Sequence, residues 1–150
     1  MGLKEKLQAD LTEAIRGRDE VKSGTIRMLL SAITNEEVAG KTAKVLTDAE
    51  IITVLSRETK KRREAVEAFT AAKRDDLADK EKAEGVIIAQ YLPEQLSEAE
   101  IKKMIADAIT ETIAAGSAGM GLVMKVLQPK IVGKADGGVV SALVKAALGQ

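Results

Sequence analysis

Apolar residues return every three or four positions along nearly the whole chain, and no stretch alternates with period two for long enough to make a strand. Leu3, Leu7, Leu11 and Ile15 open this pattern, with Lys, Glu and Asp between them. Gly17 suits a helix stop, and Asp19 suits the cap of a second helix carrying Ile26, Leu29, Leu30 and Ile33. From Asn35 to Leu46 the pattern lapses around Gly40, which predicts a loop. Thr47-Asp-Ala-Glu50 is a capping box: the Thr side chain meets an orphan N–H, and Glu50 reaches back to the cap. The helix it opens is expected from about Asp48 to Lys73, with Ile52, Leu55, Val66 and Phe69 on or near one stripe. Asp75 or Asp76 then suits the cap of a helix through Leu77, Val86, Ile87 and Tyr91, which Pro93 ends.

Ser97-Glu-Ala-Glu100 is a second capping box, ahead of Ile101, Met104, Ile105, Ala108 and Ile109. Gly116-Ser117 is expected to break that helix. Met120, Val123, Met124 and Leu127 predict a short helix stopping at Pro129. Gly133 to Gly138 reads as a turn from which Asp136 caps a last helix holding Val140, Leu143, Val144 and Leu148. The expected fold is all-α, in two parts joined near Leu92 to Ser97. Residues 1–95 form an antiparallel helical bundle, and residues 96–150 a small helical tail.

At 150 residues, 45 % apolar and 31 % charged, the chain has a globular balance rather than a disordered one. Lys and Arg total 23 and so do Asp and Glu, so any polyanionic partner must be held by a local patch. The chain has neither Cys nor His, which excludes thiol nucleophiles, disulfides, Cys/His zinc sites and His-based acid–base pairs. Phe69 and Tyr91 are the only aromatics, too few for a platform that stacks unpaired bases. No apolar run approaches the roughly 20 residues that span a bilayer, and the start is an amphipathic charged pattern. These features lead to the expectation of a cytoplasmic chain with no membrane partner, no metal and no cofactor.

Few residues suggest chemistry. Gly116-Ser-Ala-Gly119-Met-Gly121 lacks the Lys-Ser/Thr of a phosphate loop, because Leu122 and Val123 follow, and Met124 stands at the third glycine position of a dinucleotide fingerprint. It reads as a helix start that needs small residues. Arg57, Lys60, Lys61, Arg62 and Arg63 spread around a helix among Glu58, Glu64 and Glu67, as on a solvated face. Arg62, seven residues from both Leu55 and Phe69, is placed to snorkel from a buried edge and pair with an acid on a neighbouring helix. Glu81 and Glu84, at i,i+3 spacing on one helix face, suit salt bridges to Lys80 or to arginines across the bundle. Ser31, Ser56 and Ser141 lie in helices, where hydroxyls bond back to the preceding turn. The basic segment is the tail, where Lys125, Lys130, Lys134 and Lys145 face Asp136 alone among the acids after residue 115. Lys130 and Lys134 flank a turn that enters a helix N-terminus, an arrangement competent to hold a phosphate. It equally describes a plain helix–turn–helix corner whose lysines confer solubility.

Tyr91-Leu-Pro-Glu-Gln-Leu-Ser97 and Gly133-Lys-Ala-Asp-Gly137, with Thr25-Ile-Arg-Met-Leu-Leu30, Arg74-Asp-Asp-Leu77 and Met120-Gly-Leu-Val-Met124, resemble the YqeY-like proteins over residues 2–149. That family is related to the tail of the GatB subunit of glutamine-dependent aspartyl/glutamyl-tRNA amidotransferase. The resemblance implies a helical N-terminal bundle and a three-helix C-terminal domain. It also implies a non-catalytic module touching tRNA or another structured RNA, with no DNA partner expected. Carried over by position, Lys130, Gly133, Lys134, Ala135 and Asp136 match the turn thought to face tRNA. Lys125 would add a phosphate contact, and the amides around Gly137 an anion cradle. Two alternatives remain open. One is a carbon–nitrogen ligase with glutamine as amido donor, acting alone or beside amidotransferase subunits. The other is a protein–protein adaptor using a Met104, Met120 and Met124 surface.

Overall fold

The structure, a computed structural model, describes residues 2–114 and 119–149. Among these it holds seven α-helices and no strand. They are α1 (Leu3–Arg16), α2 (Glu20–Glu37), α3 (Asp48–Ala71), α4 (Asp75–Ala89), α5 (Glu98–Ala114), α6 (Met120–Ile131) and α7 (Gly137–Ala147). The chain divides into two compact units, Met1–Leu92 and Pro93–Gln150.

In the first unit, Leu7, Ile26, Leu29, Ile33, Leu55 and Ile88 are fully buried together. At about 100° per residue, a four-residue spacing drifts by about 40° at each step. Ile15 has therefore left the face that Leu7 buries, and it is half exposed (49 %). Ala14 takes the buried place instead. On α3 the buried face is Ile51, Val54 and Leu55, continuing in Glu58 and Arg62, while Val66 and Phe69 are not part of it. The apolar stripe is thus replaced midway by charge.

Helix α2 continues to Glu37, two residues past the start of the predicted loop. Glu37 fastens the segment that follows. Its Oε1 accepts from Lys4 Nζ at 2.6 Å, its Oε2 from the Leu46 amide at 3.2 Å, and its own carbonyl from the Lys44 amide at 2.9 Å. One residue thereby closes the connection that runs from Val38 to Leu46. The Lys4 bond, aided by the Leu46 amide, holds the Glu37 carboxyl below the usual range.

Helix starts follow local side chains. Asp19 accepts from the Lys22 amide, and Thr47 with Glu50 forms the full capping box. Helix α4 departs from expectation: neither Asp75 nor Asp76 is its cap. Arg74 occupies that position, and the two aspartates lie in the first turn, where the helix dipole favours negative charge. The ends are less local. Arg18 (φ 55°) and Lys73 (φ 59°) adopt the left-handed conformation that closes α1 and α3, with Asp19 N–H donating to Ala14 O and Arg74 N–H to Phe69 O. Gly17 itself stays at φ −78°.

The second unit centres on Ile105, Val123, Leu127, Ile131, Val140 and Val144. Met104, Met120 and Met124 are half-buried, packed against this core. Ser97 and Glu100 bond reciprocally to each other's backbone amides as a capping box requires. The break expected at Gly116-Ser117 lies outside the described residues. Helix α6 does not stop at Pro129 but runs on to Ile131. In a last turn the proline removes one N–H only, and the Val132 amide still donates to Gln128 O at 3.2 Å.

Candidate functional site

The corner between α6 and α7 is built by backbone geometry. Val132 (φ −54°, ψ 122°) and Gly133 (φ 74°) are the central residues of a type II turn, which the Lys134 amide closes onto Ile131 O at 2.8 Å. The second central position needs a positive φ, which is why glycine stands there. Asp136 then caps α7, its Oδ1 accepting from the Gly138 and Val139 amides at 2.8 and 3.2 Å.

The corner is tied to the segment ahead of α5. Gln95 Nε2 donates at 2.8 Å to both Pro93 O and Gly133 O, and the Leu96 amide donates to Lys134 O at 2.9 Å. The two most specific motifs of the sequence, the run ending Gln95-Leu96-Ser97 and the turn Gly133-Lys-Ala-Asp136, are therefore bonded to each other. Nothing in the local pattern around Gln95 marks this role, and the joint presence of the two runs is the one signal that points to it.

Each expected site residue has a distinct setting. Lys130 in the last turn of α6 and Lys134 after the turn are both exposed. No ion pair found among the described residues engages either one. Lys125 is five residues before Lys130, which sets it about 140° around the helix from it. Lys125 and Lys130 therefore do not share one face of α6. Ala135 is half-buried and packs on the core. Gly137 is exposed at the first position of α7. Of the amides around it, those of Gly138 and Val139 are already taken by Asp136, so this chain's own carboxylate fills much of the expected anion cradle.

The other candidates resolve into packing. Arg62 is buried on α3, with Nη1 at 2.8 Å from Glu58 Oε2 and Nε at 3.4 Å from Glu84 and 3.9 Å from Glu81. Its guanidinium also meets the Met28 sulfur. Glu81 and Glu84 are counterions for this arginine, as their spacing suggested. Ser56 Oγ bonds back to Ile52 O at 2.8 Å. Among the described residues no group of three acidic side chains could hold a metal. A groove of about 310 Å³ between α2 and α3 is bordered by Ala32, Asn35 and Val54, and by the pairs Arg57–Glu36 and Lys61–Glu58 at 3.5 and 3.1 Å.

Tyr91, at the end of the first unit, donates its hydroxyl to Asp10 Oδ2 at 2.6 Å, and Lys6 Nζ lies 5.6 Å from its ring centre. The Tyr91 bond, with Lys6 beside it, holds the Asp10 carboxyl below its ordinary range. Burial and the same bond push the Tyr91 hydroxyl well up.

Residues 4–148 match the family model described as Yqey-like protein. A Pyrenophora tritici-repentis protein named Altered inheritance of mitochondria protein 41, mitochondrial, is 33 % identical over 133 residues, covering 87 % of this chain and 71 % of the relative. A Saccharomyces cerevisiae protein of the same name is 38 % identical over 86 residues, 57 % of this chain and 46 % of the relative. An uncharacterized protein of Schizosaccharomyces pombe is 36 % identical over 92 residues, 61 % of this chain and 72 % of the relative. The match thus spans less than half the length of the S. cerevisiae relative. Relatives named as mitochondrial overturn the expectation of a cytoplasmic chain. The lack of a long apolar run reports on membrane insertion by a helix, and it carries no information about compartment.

Proposed function

This chain belongs to the Yqey-like protein family, and from that premise we propose that it is a non-catalytic helical module that binds tRNA or another structured RNA through the α6–α7 corner. The observation that supports this reading is the setting of Lys130 and Lys134. Both side chains are exposed, without a carboxylate partner in the ion pairs of the described residues, on either side of a turn whose backbone is held by hydrogen bonds. Exposed lysines on a fixed frame suit phosphates, whose contacts set position and affinity rather than sequence. With two aromatics in the chain, recognition rests on RNA shape. Asp136 is assigned to capping, and Gly133 and Ala135 to shaping the turn and seating it on the core.

The test is tRNA binding across a salt series, comparing the unmodified chain with Lys130→Ala/Lys134→Ala. Binding is expected to weaken steeply with salt, and the double variant to lose about 0.7–0.9 of the log–log slope for each lysine removed. Equal slopes and affinities would remove these residues from the interface. Failure to bind at low salt would remove RNA as the partner.

A further inference from the structure

We infer that Gln95 is the positioning residue of this corner: by bridging Pro93 O and Gly133 O it fixes the turn from which Lys134 is presented to RNA phosphates. The inference rests on the RNA reading above and adds a residue that touches no RNA itself. Its basis is the bonding pattern. Lys134 is held through its backbone on both sides, N–H to Ile131 O at 2.8 Å and carbonyl from the Leu96 amide at 2.9 Å. The preceding peptide is held by the Gln95 side chain, whose two donated bonds of 2.8 Å use both hydrogens of one amide nitrogen. The Gln95 side chain joins the segment before α5 to the turn 38 residues later.

A glutamine suits this task. Both acceptors are carbonyls, so the bridge needs two donors on one neutral group, which a glutamate or methionine of similar length does not offer. Without the bridge, the Gly133 carbonyl loses its external tether while the turn bond is kept, and Lys134 samples a wider set of directions. Each RNA contact must then restrict a residue that the bridge had already restricted.

Gln95→Met, neutral and close in length, is the variant to measure, with circular dichroism and thermal melting to confirm that it folds. Hydrogen exchange at the Leu96 and Lys134 amides should quicken. Its tRNA affinity should fall by roughly five- to ten-fold with the salt slope unchanged, because the lysines are still present. Gly133→Ala, which strains the same turn from the other side, should show the same pattern. Wild-type affinity in Gln95→Met, alongside a reduced slope in Lys130→Ala/Lys134→Ala, would overturn the inference and leave the RNA reading standing. A reduced slope in Gln95→Met would also overturn it, by placing Gln95 among the groups that displace counterions. If Lys130→Ala/Lys134→Ala binds as the unmodified chain does, the corner is not the RNA interface, and the inference falls with it.

Discussion

The Nε of Arg62 on α3 lies 3.4 Å from Oε2 of Glu84 on α4, with the two side chains only 9 % and 15 % exposed. Glu58 meets the same guanidinium at 2.8 Å. Removing one partner of a buried pair strands the others, whereas replacing the whole group by apolar side chains does not. Arg62→Met is therefore expected to cost about 3–5 kcal/mol of unfolding free energy in urea titrations. The triple change Arg62→Met/Glu58→Leu/Glu84→Leu, which leaves only the more exposed and more distant Glu81 of the group, should recover most of it. A single-variant loss close to zero would show that water screens the cluster.

Tyr91→Phe removes the hydroxyl that bonds Asp10 and is expected to cost about 1–2 kcal/mol at neutral pH. Asp10 titrates below its ordinary range in the folded chain, so its contribution is complete above the unfolded carboxylate value. It is lost as pH falls through the lowered folded value. The difference between the wild type and Tyr91→Phe should accordingly narrow as pH drops below about 4, as read from melting temperatures of both proteins across an acid series. A gap that widens in acid would contradict this assignment.

Gly24 and Gly85 lie inside α2 and α4, and a Cβ at either position would meet nothing within 4 Å. Glycine in a helix interior costs about 0.5–1 kcal/mol relative to alanine. Gly24→Ala and Gly85→Ala should each raise stability by about that amount in chemical denaturation. A loss at either site would mean that its glycine serves an approach that the folded chain does not display.

Asp136 caps α7 through two backbone amides, and capping can be separated from ligand binding by substitution. Asp136→Ala should cost about 1 kcal/mol and Asp136→Asn much less, because the amide oxygen can accept the same two bonds. Neither variant should weaken tRNA binding, since each removes a negative charge from the lysine-bearing corner. Weakened binding in a variant with normal helical content would move Asp136 into the interface.

What the sequence could disclose followed the reach of each interaction. Asp19, Thr47, Ser97 and Asp136 were readable as caps because their bonds span two or three residues and need particular side chains. The ends were harder. Closing α1 and α3 takes backbone atoms and a left-handed residue, which Arg18 and Lys73 supply without the glycine that would advertise it. Pro129 looked like a stop, yet the chain turns at Gly133. Arg62 was legible as a snorkelling partner for acids because its seven-residue spacing from Leu55 and the Glu81–Glu84 spacing carry periodic information. Gln95 with Gly133, Glu37 with Lys4, and Tyr91 with Asp10 are 33 to 81 residues apart, and no local pattern announces such pairs.

The triple grip of Glu37 on Lys4, Lys44 and Leu46 has a practical corollary. Residues 38–43 hang outside a knot that is tied behind them, so the path from α2 into α3 does not depend on how long that bulge is. An epitope or a reporter peptide spliced beside Gly40 would hang from a closed ring, which makes this rim a natural port for labelling the protein far along the chain from its lysine-bearing corner.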